Sequence, residues 1–225
     1  MNLAGFVPLS LCDYPGRVAA VVFTQGCNFR CPWCHNGHLL PMTGDPSTRV
    51  GEEDVLSVLQ ERRNKLGGVV VSGGEPTLQL ALPRFLRRIK ALGLDVKLDT
   101  NGSRPDVLRQ LLQDRLLDFI AMDVKAPWHK YGMLTGTACC DVAAVQASLS
   151  LIAASGVPHQ FRTTRVDPLL SEHEYGHIST QIPQGSPHTW QPFRPATSRD
   201  PALRPAPSPV HRETVEAQWK TKPIW

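Results

Sequence analysis

Short apolar runs alternating with helix-periodic segments of 10–15 residues are the feature that most limits the folds open to this chain. Strands are expected at 17–24, 69–72, 94–99, 118–124 and 158–164, with a weaker sixth at 188–193. Most are β-branched or apolar and are bounded by Gly, Pro or Asp, as strands buried on both faces should be. Helices are expected at 52–66, 80–92, 105–114, 141–154 and 172–182. The first carries Val55, Leu56, Leu59 and Leu66 on one face, opens on Glu52 and Glu53, and is followed by Gly67 and Gly68. Gly93 and Gly156 stop the second and fourth; Pro105 opens the third, with Ser103 upstream as its expected cap. Such alternation implies right-handed βαβ units and a parallel sheet. Five or six units are too few for an eight-unit barrel, which leaves an open doubly wound sheet or an incomplete barrel. From Pro183 the composition turns proline-rich, and 195–209 cannot be regular helix or strand. The expected division is a domain at 1–194 and a tail at 195–225, the tail either wrapping the domain or partly disordered.

Composition narrows the class. The 225 residues fit one domain. No apolar run reaches the ~18 residues a membrane-spanning helix needs, and MNLAGFVPLS lacks the features of a secretory signal. The expected setting is therefore the cytoplasm. With 24 basic and 20 acidic residues the net charge is +4, and no basic run or aromatic–basic stripe argues for nucleic acid. Six cysteines do not make a disulfide framework in a chain of this size and setting. Cys27, Cys31 and Cys34 fall within eight residues, whereas Cys12, Cys139 and Cys140 are scattered.

The polar signals sit where the strands end. Cys27–Cys34 follows the first strand; Ser72-Gly73-Gly74-Glu75-Pro76 ends the second; Asp99-Thr100-Asn101-Gly102 ends the third. Asp123 and Lys125 end the fourth, and Thr163-Thr164-Arg165 the fifth. In parallel α/β architectures that rim is where ligands bind, so one shared site is expected. Three thiols spaced C-x3-C-x2-C on one loop can converge on one metal centre. Zinc would want a fourth ligand, for which His35 is adjacent. A four-iron cluster held by three thiolates leaves one iron open to a substrate or cofactor. Buried structural cysteines are the third reading.

With Trp33 just before the last cysteine, Gly26-Cys27-Asn28-Phe29-Arg30-Cys31-Pro32-Trp33-Cys34 resembles the signature of the radical S-adenosylmethionine (SAM) superfamily. Cys34-His35-Asn36 resembles the glycyl-radical-enzyme activases within it. The resemblance implies an incomplete (β/α)6 barrel of parallel strands at 1–194 and a [4Fe–4S] cluster on Cys27, Cys31 and Cys34. It also implies SAM chelated to the unique iron, and its reductive cleavage to methionine and a 5′-deoxyadenosyl radical. Phe29 and Trp33 would shield the cluster, although ordinary packing explains them equally. Asn36 would contact SAM or the substrate backbone.

Gly73-Gly74-Glu75-Pro76 resembles the family's SAM-binding "GGEP" element, in which Glu75 would orient or neutralise the methionine amino group. Asp99-Thr100-Asn101-Gly102 is similar to the "DTNG" of pyruvate formate-lyase activases, and Asp123-Val124-Lys125 to their "DxK". Carried over, Asp99, Asn101, Asp123 and Lys125 join the SAM-binding set, and Asp99, Thr100 and Asp123 could hold a monovalent cation. From the residues alone, the first segment reads as an Asx turn and the second as a rim salt bridge. Phe161-Arg162-Thr163-Thr164-Arg165 lacks the histidine that some formate-lyase activases carry; Arg162 and Arg165 read equally as surface charges or substrate clamps. The opening from Gly5 to Gly16 and Gln191-Pro192-Phe193-Arg194-Pro195 ("QxFRP") resemble the activases of anaerobic ribonucleoside-triphosphate reductase. The implied activity is formation of a glycyl radical on such a partner, with flavodoxin or ferredoxin as electron donor. A small metabolite or RNA base as substrate, and a zinc module without turnover, are the other readings.

Overall fold

A computed structural model describes residues 1–137, 140–167 and 169–204. Its elements alternate as the apolar pattern requires: β2 (Ala19–Thr24), α1 (Glu52–Arg62), β3 (Gly68–Gly73), α2 (Leu82–Ala91), β4 (Asp95–Thr100), α3 (Pro105–Gln113) and β5 (Phe119–Asp123). A four-residue α4 (Tyr131–Leu134) precedes α5 (Val142–Ala154), β6 (His159–Arg165), α6 (Glu172–Gln181) and β7 (His188–Pro192). Strands β2 to β7 pair in parallel and in sequence order. That sequential winding is the incomplete (β/α)6 barrel; a doubly wound sheet would reverse order partway.

One strand escapes the expected pattern. β1 (Leu3–Ser10) adds antiparallel to β2 at the edge. Its residues do not alternate in burial, and Pro8 falls in a register break between Val7 and Ser10. Proline cannot donate to a ladder and is tolerated at such edges and bulges, which is why no strand was expected there.

Alternate strand residues face two environments. Val69, Val71, Val96, Leu98, Ile120, Met122 and Phe161 join the core that the helices cover through Leu59, Phe85, Ile89, Leu108 and Ile152. On the other face, Tyr14, Ala19, Val21 and Val70 form a small apolar plug with Phe23 and Phe119. Beyond the plug the same face turns charged, with Lys97, Asp99, Asp123 and Arg162.

Two expected details change. α1 ends at Arg62, and Leu66 reaches the core through a turn in which its amide bonds the Arg62 carbonyl at 3.1 Å. Ser103 does not cap α3: the N-cap is Arg104, without a side-chain bond. Ser103 instead accepts from Asn28 Nδ2 at 2.9 Å and donates its amide to Asn101 Oδ1 at 2.9 Å. The tail is described as far as Arg204, and this part lies against the cysteine loop. Residues 205–225 and Cys139 lie outside the described residues. Among the described residues no helix is long and apolar enough to cross a membrane.

Candidate functional site

A cavity of about 220 Å³ opens at the carboxyl ends of the parallel strands. The cysteine loop supplies Cys27, Cys31, Trp33, Cys34 and Asn36 to its wall; the β3 end supplies Gly73, Gly74 and Glu75; β4 and β5 supply Asp99, Asn101, Asp123 and Lys125. The twelve residues assigned to the cluster or to SAM therefore border one space, whereas Thr163 and Arg165 at the fifth strand end do not. Arg162, Thr164 and Gln191 border it too.

The loop after β2 has no regular structure and is held by its neighbours. Phe29 meets Tyr131 edge-on at 6.3 Å between ring centroids, and the Arg30 amide donates to the Thr135 carbonyl at 2.7 Å. Arg30 Nη1 folds back onto the carbonyls of Cys27 and Phe29 at 2.5 and 2.9 Å. Cys27 and Cys31 are buried and Cys34 half-buried. Burial pushes the Cys27 thiol up to about 11, with the Glu75 charge adding to it. Burial also pushes Cys31 up to about 12, against the pull of Lys125. These are thiols that lose their protons on binding metal.

The donor set fits a four-iron cluster. The five described cysteines are free. His35, the neighbour that a zinc site would recruit, borders the cavity but is engaged by the chain after the last strand: its ring stacks on Phe193 at 5.9 Å, and its Nε2 accepts from the Arg194 amide at 3.3 Å. No three His, Cys, Asp or Glu side chains close on an ion-sized point among the described residues. A cluster asks for something different, one thiolate per iron spread around its body.

The Gly-Gly turn owes its glycines to the end of β2 and to the first residues of the loop that follows it. Gly73 has φ +125°, and a Cβ there would strike the Thr24 backbone; one on Gly74 would fall on the Gly26 carbonyl. The Gly74 and Glu75 amides donate to Thr24 and Gly26 carbonyls at 2.9 and 2.8 Å. Close backbone packing, rather than close ligand approach alone, explains both residues.

Glu75 is fully buried. Its Oε1 accepts from the Thr77 amide (3.1 Å), Thr77 Oγ1 (2.5 Å) and Thr100 Oγ1 (2.7 Å), and its Oε2 from the Asn101 amide (2.7 Å). Burial raises its pKa while these donors pull it back. The carboxylate bolts the β3 end to the β4 end, a role that the sequence reading did not give it. Asn101 Nδ2 donates to Asn28 Oδ1 at 2.9 Å and lies 3.9 Å from Cys27 Sγ, so it turns toward the cysteine loop.

The charged residues form one chain. Lys97 pairs with Asp99; Arg162 joins Asp99 at 3.2 Å to Asp123 at 2.9 Å; Lys125 completes it at 3.1 Å from Asp123. Burial pushes Asp123 up, but Arg162 and Lys125 outweigh it and hold the carboxyl down at about 2. Burial likewise opposes the charge of Lys125, and Asp123 outweighs it, keeping the ammonium protonated. This is more than a rim pair, because both partners are largely covered. Where the resemblance places a cation, at Asp99, Thr100 and Asp123, the Arg162 guanidinium spans both carboxylates and the Thr100 hydroxyl donates to Glu75. Strand alternation on β6 could have placed Arg162 inside, since Phe161 before it faces the helices. Nothing local marks Asn28. Arg165 stays outside, paired with Asp167 at 3.1 Å.

The profile of the Radical SAM superfamily matches residues 21–172. A Methanocaldococcus jannaschii protein described as a candidate glycyl-radical enzyme activating enzyme is 30% identical over 220 residues, 95% of this chain and 89% of that one. The 7-carboxy-7-deazaguanine synthase of Methanopyrus kandleri is 33% identical over 134 residues, 52% of each chain. The pyruvate formate-lyase 1-activating enzyme of Escherichia coli K12 is 36% identical over 121 residues, 50% of this chain and 47% of that one. The chain thus spans about half the length of the last two.

Proposed function

The chain belongs to the radical SAM superfamily, and from that premise we propose that it is an activase that installs a glycyl radical on a partner enzyme, an anaerobic ribonucleoside-triphosphate reductase. The cofactors are a [4Fe–4S] cluster and SAM. The cavity carries this reading: three thiols and the polar ends of β3 to β5 border one space at the strand-end rim. Likeness to the M. jannaschii protein over nearly the whole of both chains supports the activase class. The reductase is the partner suggested by the resemblance of the segments 5–16 and 191–195 to its activases.

When bound, the cluster and SAM together supply a reductively generated 5′-deoxyadenosyl radical that abstracts a hydrogen atom. The protein's part is to hold and to shield. We assign Cys27, Cys31 and Cys34 to the irons, with Phe29 and Trp33 as apolar cover that excludes water and influences the potential. Asp99, Asp123 and Lys125 are assigned to the polar groups of SAM, and Asn36 to SAM or the substrate backbone. Gly73 and Gly74 bring the β3 backbone to the cofactor. Glu75 acts by fixing the β3 and β4 ends to each other, and Asn101 by presenting an amide to Cys27 Sγ. Arg162 stands between the Asp99 and Asp123 carboxylates and, with Lys125, holds Asp123 ionised. The electron donor is a flavodoxin or ferredoxin, and a reducing cytosol suits five free thiols.

Anaerobic purification with iron and sulfide quantification, then incubation with reductant and SAM, tests the core of the reading. Release of 5′-deoxyadenosine is expected from wild type and not from Cys31→Ala, which should also lose iron. Adding the reductase should give a glycyl-radical signal by electron paramagnetic resonance. A loaded protein that releases no 5′-deoxyadenosine refutes the enzyme reading. Release stimulated by a small molecule and giving no protein radical would favour a metabolite substrate, the reading that the partial match to 7-carboxy-7-deazaguanine synthases supports.

A further inference from the structure

The first ten residues of the tail hold the outer side of the cysteine loop. After β7, Phe193 stacks on His35 and the Arg194 amide reaches His35 Nε2. The chain then runs antiparallel to the loop. The Ser198 hydroxyl and the Asp200 amide both donate to the Pro32 carbonyl, at 3.0 and 2.8 Å, and the Arg199 amide donates to the Cys34 carbonyl at 2.9 Å. The Arg199 guanidinium spans the carbonyls of Cys31 (Nε, 3.2 Å) and Arg30 (Nη2, 2.8 Å). Its Cγ lies where a Cβ on Gly37 would come within 3.2 Å. Ser198 is fully buried beneath this contact. Arg204 Nε ties the segment to itself at the Ser198 carbonyl, 2.8 Å away.

We propose that residues 193–204 are a strap that sets the shape of the cysteine loop, and that Arg199 is its positioning residue, acting on both the retention and the redox potential of the cluster. The loop satisfies only part of its own backbone: the Cys34 amide donates to the Cys31 carbonyl at 3.2 Å, and an outside segment serves the rest. It is irregular, so the carbonyls of residues 30, 31, 32 and 34 lack helix or strand partners, and buried carbonyls left unpaired are costly. The strap supplies a donor to each of the four. A planar guanidinium is suited to two adjacent carbonyls at once, since its donors form a rigid fork. Holding them together fixes the backbone on either side of Cys31 and thereby the direction of its thiol. Arg199 also brings a fixed positive charge to the backbone of two cluster-loop residues. Such a charge favours the more negative, reduced form of a cluster. The redox part rests on the function proposed above; the loop contact does not.

The test uses the full chain with Arg199→Ala and Arg199→Lys. In the metal-free protein, iodoacetamide labelling of Cys31 followed by peptide mass spectrometry should quicken at least about tenfold in Arg199→Ala, the factor that the loss of one charge-assisted bond alone would give. Labelling of Cys140, which the strap does not touch, should be unchanged. In the reconstituted protein, chelator-driven cluster loss should quicken by a similar factor, and the midpoint potential should move to more negative values. Arg199→Lys restores charge but not the fork, so it should recover the potential and not the labelling rate. Wild-type labelling of Cys31 in Arg199→Ala overturns the proposal, as does equal acceleration at Cys140, which would signal general loosening. An unchanged potential in Arg199→Ala overturns the redox part. Failure to load any iron would sink the function and still leave the labelling comparison to judge the strap.

Discussion

Replacing Glu75 offers a sharp test of whether this carboxylate is a bolt between strands. In the wild type its two oxygens take four donors, and the side chain has no exposed surface. Glu75→Leu strands all four. The Thr77 and Thr100 hydroxyls can rotate toward other acceptors, but the amides of Thr77 and Asn101 are fixed by the backbone. A buried donor left unsatisfied costs about 1–3 kcal/mol, so the two amides cost about 2–6 kcal/mol together. Relief from burying a carboxylate offsets part of this. Glu75→Gln keeps an oxygen for the three donors at Oε1 and sets an amide nitrogen against the Asn101 amide, a single loss of about 1–3 kcal/mol. Domains of this kind are stable by about 5–15 kcal/mol in total, so both effects are readable. Urea unfolding of metal-free protein, followed by far-ultraviolet circular dichroism, should rank wild type above Gln and Gln above Leu. A Leu variant with the wild-type midpoint would refute the bolt. Equal losses for Gln and Leu would mean that the three bonds at Oε1 contribute nothing.

Gly74→Ala should destabilise the protein or fail to fold, because its Cβ meets the Gly26 carbonyl and neither backbone can yield cheaply; soluble expression with a wild-type urea midpoint would count against that packing. Arg162→Leu should make the protein more sensitive to acid. Asp123 is held at about 2 in the fold, below its usual value of about 3.8, so its contribution is present above that usual value and is lost as pH falls toward 2. The drop corresponds to about 2 kcal/mol, of which Lys125 retains a share. Acid unfolding should therefore begin at higher pH in the variant, and an acid transition that overlays the wild type would refute the assignment. Asn28→Ala should free the Asn101 amide and loosen the loop, read as faster cluster loss to a chelator than in wild type.

Periodicity exposed the six parallel strands and five of the helices because buried strands and one-sided helices write their environment into local composition. β1 stayed hidden because an edge strand interrupted by Pro8 has no alternation to show. The twelve residues marked for the site came to one cavity because turns at the carboxyl ends of parallel strands must share a rim. Their duties were less visible. Glu75 and Asn101 face other protein groups, and Arg162 stands between two carboxylates from β4 and β5. These are partnerships between residues more than twenty positions apart, for which local spacing carries no signal.

The sequence by itself determined the alternating architecture and the three-thiol loop with its companion motifs, since each depends on residue types at short fixed intervals. Only the tertiary structure decided that Gly73 and Gly74 answer to the end of β2 and the loop after it, that a guanidinium spans Asp99 and Asp123, and that residues 193–204 fold back over the cysteine loop. Hydrogen bonds and ion pairs act over a few ångströms of space, whatever the distance along the chain, and folding alone brings Arg199 beside Cys31.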